Sequence, residues 1–243
     1  DNSAAMGGMS INGGVVLVNT VASVNGTARN IAVNLGGAVT FAPTFGSGAA
    51  DFASTMLNRI AATSAGAIAP DNYAATAFDL DAAGLSKASL GAVGAVSYTG
   101  TLTPNGSTYR LGGGGGSLTY PNVITGAGNS LTITGPGTVV LTNAANTYGG
   151  ATTVNGGTLT VSGGGIIGAG ALTVTDGAFD LAGTNATVSA VSITGGTIQN
   201  GTLTGTSYTG SGGSISAVLA GATASFTNTS GTTTLNAALE AMV

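Results

Sequence analysis

The chain contains no cysteine, no histidine and no tryptophan, and only four basic and eight acidic residues among 243. Without Cys or His there is no disulfide, no thiolate nucleophile, no imidazole base and no zinc site of the usual kind. Four scattered cations (Arg29, Arg59, Lys87 and Arg110) cannot form a basic patch, which argues against nucleic acid as a partner. No basic amphipathic helix points to an anionic membrane surface. No apolar run approaches the roughly 18 residues that a membrane-spanning helix takes. Proline is rare, at five against 44 glycines, and glycine does not recur at every third position, so collagen is excluded. Disorder is excluded too, because 43% of residues are hydrophobic and the net charge is only −4. Charge this sparse suits assembly or anchoring better than free diffusion. A chain without cysteine suits passage through an oxidising compartment.

What the sequence does have is repetition. The pentad Gly137-Thr-Val-Val-Leu141 returns as Gly157-Thr-Leu-Thr-Val161 and Gly177-Ala-Phe-Asp-Leu181, each step being 20 residues, and Gly196-Thr-Ile198 follows 19 later. A second series, Val154, Val174 and Ile193, runs in parallel with it. Within each unit apolar residues alternate with Thr, Ser or Asp, which is the period of a half-buried strand. A unit of this length cannot bury its apolar face alone, so successive units must stack, each strand beside its counterpart roughly 4.8 Å away. The expected fold is all-β: a right-handed parallel β-helix of about 20 residues per coil. Gly and Asn at the corners suit turns that need left-handed backbone. An antiparallel sandwich is the rival, and the constant spacing disfavours it.

Taken in order, residues 1–48 read as N-terminal solenoid coils, with strands over Met9–Val18, Ile31–Leu35 and Ala38–Phe41. Residues 49–92 read as an Ala-rich insertion. There Phe52, Met56, Leu57 and Ile60 share one helical face, which predicts a short helix over 51–62. Irregular chain follows, with a local strand near Ala77–Leu80. Pro104-Asn105-Gly106 between two strand-like runs predicts a hairpin over 96–111. Gly112–Gly116 lacks the Lys-Ser/Thr of a phosphate-binding loop and reads as a corner. Residues 93–243 continue the solenoid, and Leu235, Leu239 and Met242 at helical spacing predict a closing helix over the last coil.

Few residues offer chemistry. Asp79 and Asp81 are two apart, so on a strand they would share a face and could hold a cation or share a proton, although acids in a surface loop are far commoner. Asp176-Gly177 reads first as turn chemistry. Tyr98, Tyr109, Tyr120 and Tyr148 could stack on sugars or, more ordinarily, pack at solenoid corners. Thr-x-Thr pairs at 101–103, 132–134, 158–160, 173–175, 202–204 and 232–234 suggest a hydroxyl array, but their intervals do not follow the 20-residue repeat, so the pairs should not align. No catalytic residue, cofactor or resident metal is expected.

The stretch Asn143-Ala-Ala-Asn-Thr-Tyr-Gly-Gly-Ala-Thr-Thr-Val-Asn-Gly-Gly-Thr-Leu159 resembles the autotransporter-associated β-strand repeat, also called the passenger-associated transport repeat. Weaker likeness extends over roughly residues 95–235. The resemblance implies a large, secreted or surface-displayed bacterial β-helix in which the repeat serves translocation and folding and holds no catalytic residue. The expected function is non-enzymatic and structural: an extracellular stalk, coat or self-assembling filament subunit of the bacterial cell surface, whose partners are further copies or other surface proteins. The alternative is an adhesin or glycan-binding module using residues 63–92 and exposed tyrosines.

Overall fold

The computed structural model describes residues 8–20, 29–45, 56–236 and 239–240. The chain divides into two compact units, residues 1–119 with 135–137, and residues 120–134 with 138–243. Every strand pair in both is parallel, so the fold is a parallel β-solenoid.

In the second unit each coil lays one strand on a first sheet and one on a second. The first sheet stacks Ser130–Ile133, Thr152–Val154, Leu172–Val174, Ala190–Ile193, Ser207–Gly210 and Phe226–Asn228. The second stacks Thr138–Leu141, Thr158–Val161, Ala178–Asp180, Thr197–Gln199, Ser214–Ile215 and Thr234–Leu235. The two series read from the sequence are the inward columns of these ladders. Val154 lies opposite Val174, and Val174 opposite Ile193, while Leu141 lies opposite Val161, all of them buried. Leu181, just past its strand, is buried as well. Along the first sheet the coil length runs 21, 20, 19, 17 and 18 residues. The solenoid therefore tightens toward its end while keeping register. As the coils shorten, a third sheet of Asn185–Thr187, Thr202–Thr204, Val218–Ala220 and Leu239–Glu240 appears on the remaining side.

Alternation sets which groups face water. Burial along Thr158–Val161 and Ser130–Ile133 switches at every residue, apolar side chains inward. The outward column of the first sheet is Thr132, Thr153, Thr173, Ser192, Thr209 and Thr227, a single file of hydroxyls. The Thr-x-Thr pairs themselves scatter: Thr173 stands on the first sheet, Thr158 on the second and Thr202 on the third.

The second-sheet strands begin at a glycine corner. Gly177 (φ 74°) and Gly196 (φ 67°) both sit in left-handed backbone. A Cβ on either would fall closer than 3.0 Å to the carbonyl oxygen of the glycine one coil below, Gly157 or Gly177. Two requirements thus coincide at one column: left-handed backbone and room for the next coil to approach.

In the first unit the first sheet stacks Gly14–Val18, Gly37–Phe41, Ala67–Ala69, Ser89–Leu90 and Thr108–Leu111. Here the structure corrects four expectations. The 49–92 stretch, from residue 56 on, is coil and not insertion: Ala67–Ala69 pairs in register with Ala38–Thr40, and Ser89–Leu90 pairs with Ala67–Ile68. Its residues are buried on both faces, so no alternation marks them. The helix over 51–62 lies partly outside the described residues. Its described part is a single 3-10 turn, Leu57–Arg59, after which Ile60 turns extended and bridges Ile31. The apolar spacing of Met56, Leu57 and Ile60 does report burial, but in a turn that feeds a strand.

Nor do residues 96–111 form a hairpin. Ala95–Ser97 pairs with Ser117–Tyr120, Leu102–Thr103 with Phe78–Asp79, and Thr108–Leu111 with Ser89–Leu90, each partner lying about one coil away. Pro104-Asn105-Gly106 is a coil corner. At the end of the chain, Thr234–Leu235 and Leu239–Glu240 are strands that extend the second and third sheets, where a closing helix was expected.

Candidate functional site

The carboxylates do not converge. Asp79 ends the short strand Phe78–Asp79, while Asp81 lies beyond it in the turn, so the two do not share a strand face. Asp79 Oδ1 accepts the backbone N–H groups of Asp81 (3.0 Å) and Ala82 (2.9 Å), which makes it the anchor of that turn. Asp176 accepts the N–H of Gly177 at 2.8 Å, turn chemistry again. Asp71 accepts from the N–H of Gly94 (2.6 Å) and of Val93, and so fixes the following coil. Among the described residues no group of three or more acids gathers as metal ligands would.

Asp180 holds a polar cluster on the outside of the second sheet. It accepts the Ala182 N–H at 2.8 Å, the Gln199 amide at 3.1 Å and the Asn200 amide at 3.1 Å, the last two from the next coil. Partial desolvation pushes its pKa up, but the three hydrogen bonds together outweigh this and hold the carboxyl below the ordinary carboxylate value. A depressed folded-state pKa adds stability that is fully present above the unfolded value, about 3.9. That stability is lost as pH falls through the folded value. We expect Asp180→Asn to flatten the acid limb of a melting-temperature profile below about pH 4 relative to the parent chain.

The tyrosines are corner posts. Tyr98 (0% exposed), Tyr120 (2%) and Tyr148 (1%) are buried, so none of these three rings can stack on a sugar at the surface. Tyr109 is half-buried, and burial raises its pKa. Tyr98 donates to the Thr76 carbonyl at 2.6 Å, one coil below. Tyr208 donates to Leu203 O at 2.6 Å, with Ala220 O at 2.7 Å as the other acceptor in reach. Tyr148 shares a 2.7 Å hydrogen bond with Thr152, and burial raises its pKa against the opposing effect of that bond. In each case the ring fills the bore while the hydroxyl satisfies a buried polar group.

The sequence reading missed the role of two asparagines. Asn146 is 2% exposed; its side-chain oxygen accepts the Ile124 N–H at 2.8 Å and its amide donates to the Ile166 carbonyl at 2.8 Å. It therefore clamps the coil before and the coil after to its own. Asn143 repeats the device nearer the surface, donating to Pro121 O (2.7 Å) and accepting from Ala145 N–H (2.8 Å). Neither has the left-handed backbone that corner asparagines were expected to supply; among described non-glycine residues only Ala182 and Asn200 do. The available signal was that neither Asn143 nor Asn146 is followed by glycine, unlike an Asn-Gly turn.

Beside Asn146 lies a cleft of about 450 Å³, floored by Tyr148 and Ile167 and bordered by Ile166 and the strand Asn185–Thr187. All its lining residues belong to the second unit. A smaller hollow of about 230 Å³ in the first unit is lined by Leu57, Ala77 and Asp79 among others.

These features meet in one segment. Residues 131–161 span two first-sheet strands, two second-sheet strands and the corner that carries Asn143, Asn146 and Tyr148. Neither curated proteins nor solved structures give a match to the chain. A family model does, over a narrower stretch than the likeness read across 95–235: residues 131–161 match the passenger-associated-transport-repeat, so this chain carries that repeat within a parallel β-solenoid, as fits a surface or autotransporter passenger β-helix.

Proposed function

We propose that the chain is an extracellular structural element of a bacterial cell surface, a stalk, coat or filament subunit whose copies associate through the open edges of their ladders. The observation that carries this reading is the strand Gly14–Val18. It is an edge strand that pairs only with Gly37–Phe41, yet it leaves Val15 44% and Leu17 54% exposed, with Leu35 68% exposed on a nearby turn. An edge of this kind, apolar and without a guarding charge, is a template for another strand. In the second unit the edge strands Phe226–Asn228 and Thr234–Leu235 offer open ladder groups, and Leu235 is 37% exposed. Edge-to-edge contact of two different ends is heterologous and propagates as a filament. Transport as a passenger, which the matched repeat indicates, supports the extracellular setting.

Sedimentation over a concentration series tests the reading. Reversible association is expected, weakened about tenfold (roughly 1.4 kcal/mol) by Leu17→Lys, which places a charge on the edge. A monodisperse monomer at high concentration would end it. A glycan-binding adhesin using residues 63–92 retains only Tyr109 of its aromatic candidates near the surface, and glycan-array binding that Tyr109→Ala removes would favour it instead.

A further inference from the structure

The third sheet of the second unit starts abruptly. Asn185–Thr187 pairs with Thr202–Thr204 on one side, and no strand among the described residues pairs with it on the other. One coil earlier the chain runs through Gly163–Gly165 and Ile166–Ala169 as turn and loop. The cleft of about 450 Å³ lies between that loop and the strand.

Backbone direction along the edge follows from the ladder. Thr202 N–H donates to Thr184 O (3.1 Å) and Val188 N–H to Thr204 O (2.9 Å), so residues 184 and 188 point their backbone groups into the sheet. Alternation then turns the N–H and C=O of Asn185 and Thr187 toward the cleft. The inward residue of this rung is Ala186, where the next two rungs carry Leu203 and Leu219. An alanine here leaves room for a larger apolar side chain from an added rung, above Tyr148 and Ile167. No lining residue is charged, so a charged segment would be desolvated without a partner.

We propose that this cleft receives an extended, uncharged peptide strand from another chain, apolar at its central residue and small or polar on either side, which adds the missing first rung of the third sheet. The visitor's backbone N–H and C=O pair with Asn185 and Thr187, continuing the parallel ladder, and its central side chain enters beside Ala186. The pattern sought is that of this sheet's own rungs, Thr202-Leu203-Thr204 being the nearest. The inference is independent of the edge at Gly14–Val18, which belongs to the other unit.

The probe is a fluorescent peptide of this chain's residues 200–205, Asn-Gly-Thr-Leu-Thr-Gly, titrated with the full chain. Saturable one-to-one binding is expected, weakened at least tenfold when the Thr-Leu-Thr amides of the peptide are N-methylated, and weakened likewise by Thr187→Pro, which removes the cleft-facing N–H at an edge position where proline is tolerated. Should Thr187→Pro fail to fold, the N-methylated peptide makes the same distinction on the unaltered protein. Absence of binding at millimolar peptide, or equal binding of the parent and N-methylated peptides, would overturn the proposal. So would self-association that Thr187→Pro abolishes while the peptide does not bind, since that would seat a second copy in the cleft.

Discussion

Asn146→Ala is expected to destabilise the chain by about 3 kcal/mol or more, with the loss read as a lower denaturation midpoint at unchanged slope. The substitution deletes one side chain but orphans two backbone groups. Ile124 N–H loses its acceptor and Ile166 C=O its donor, and with Asn146 2% exposed there is little water to replace either. Each unsatisfied buried group costs roughly 1–3 kcal/mol, against total stabilities of about 5–15 kcal/mol for ordinary domains. Asn146→Asp separates the two bonds. It keeps an acceptor for Ile124 but faces the Ile166 carbonyl with a second oxygen, so it should cost at least as much as alanine. Asn143→Ala is the comparison: its groups are part-buried and water can substitute, so about 1 kcal/mol is expected. Equal, small losses at both positions would remove the clamp from the account.

The second large effect falls on the glycine corner. Gly177→Ala places a side chain in left-handed backbone, which costs about 1–2 kcal/mol, and presses its Cβ against the Gly157 carbonyl of the coil below. That oxygen is main chain, so the strain has no flexible side chain to absorb it, and overpacking adds about 1–3 kcal/mol. Gly163→Ala isolates the first part: its φ is 61°, but no atom lies within 4 Å of the added Cβ. Chemical denaturation of the two variants should therefore give a loss of about 3 kcal/mol at Gly177 and about 1 kcal/mol at Gly163. If the two were equal, coil-on-coil contact at this column would play no part.

What the sequence revealed and what it hid follow from the same physics. Val154, Val174 and Ile193 announced their stacking because a large apolar side chain repeats at nearly the coil length, and the ladder pairs them. Ala67–Ala69 gave no such signal. A rung buried on both faces has no alternation, and alanine contributes no contrast. Pro104-Asn105-Gly106 misled for a different reason. Turn chemistry is local and says that the chain bends, not which strand it meets next, so a hairpin and a coil corner read alike. The tyrosines looked available because their neighbours are Thr and Ser, yet Tyr98, Tyr120 and Tyr148 point into the bore. The asparagines of the matched repeat were legible as corner residues but not as clamps, because their partners Ile124 and Ile166 lie 22 and 20 residues from Asn146.

The claim beneath all of this is that each coil lies in register on the one before it. Since the chain has no cysteine, two introduced thiols are the only ones present. Thr153→Cys and Thr173→Cys place them on outward positions directly opposite each other in adjacent coils. With nitroxide labels on both, backbones about 4.8 Å apart predict strong dipolar broadening of the continuous-wave electron paramagnetic resonance spectrum. A spectrum equal to the sum of the two singly labelled chains would contradict the stacked solenoid.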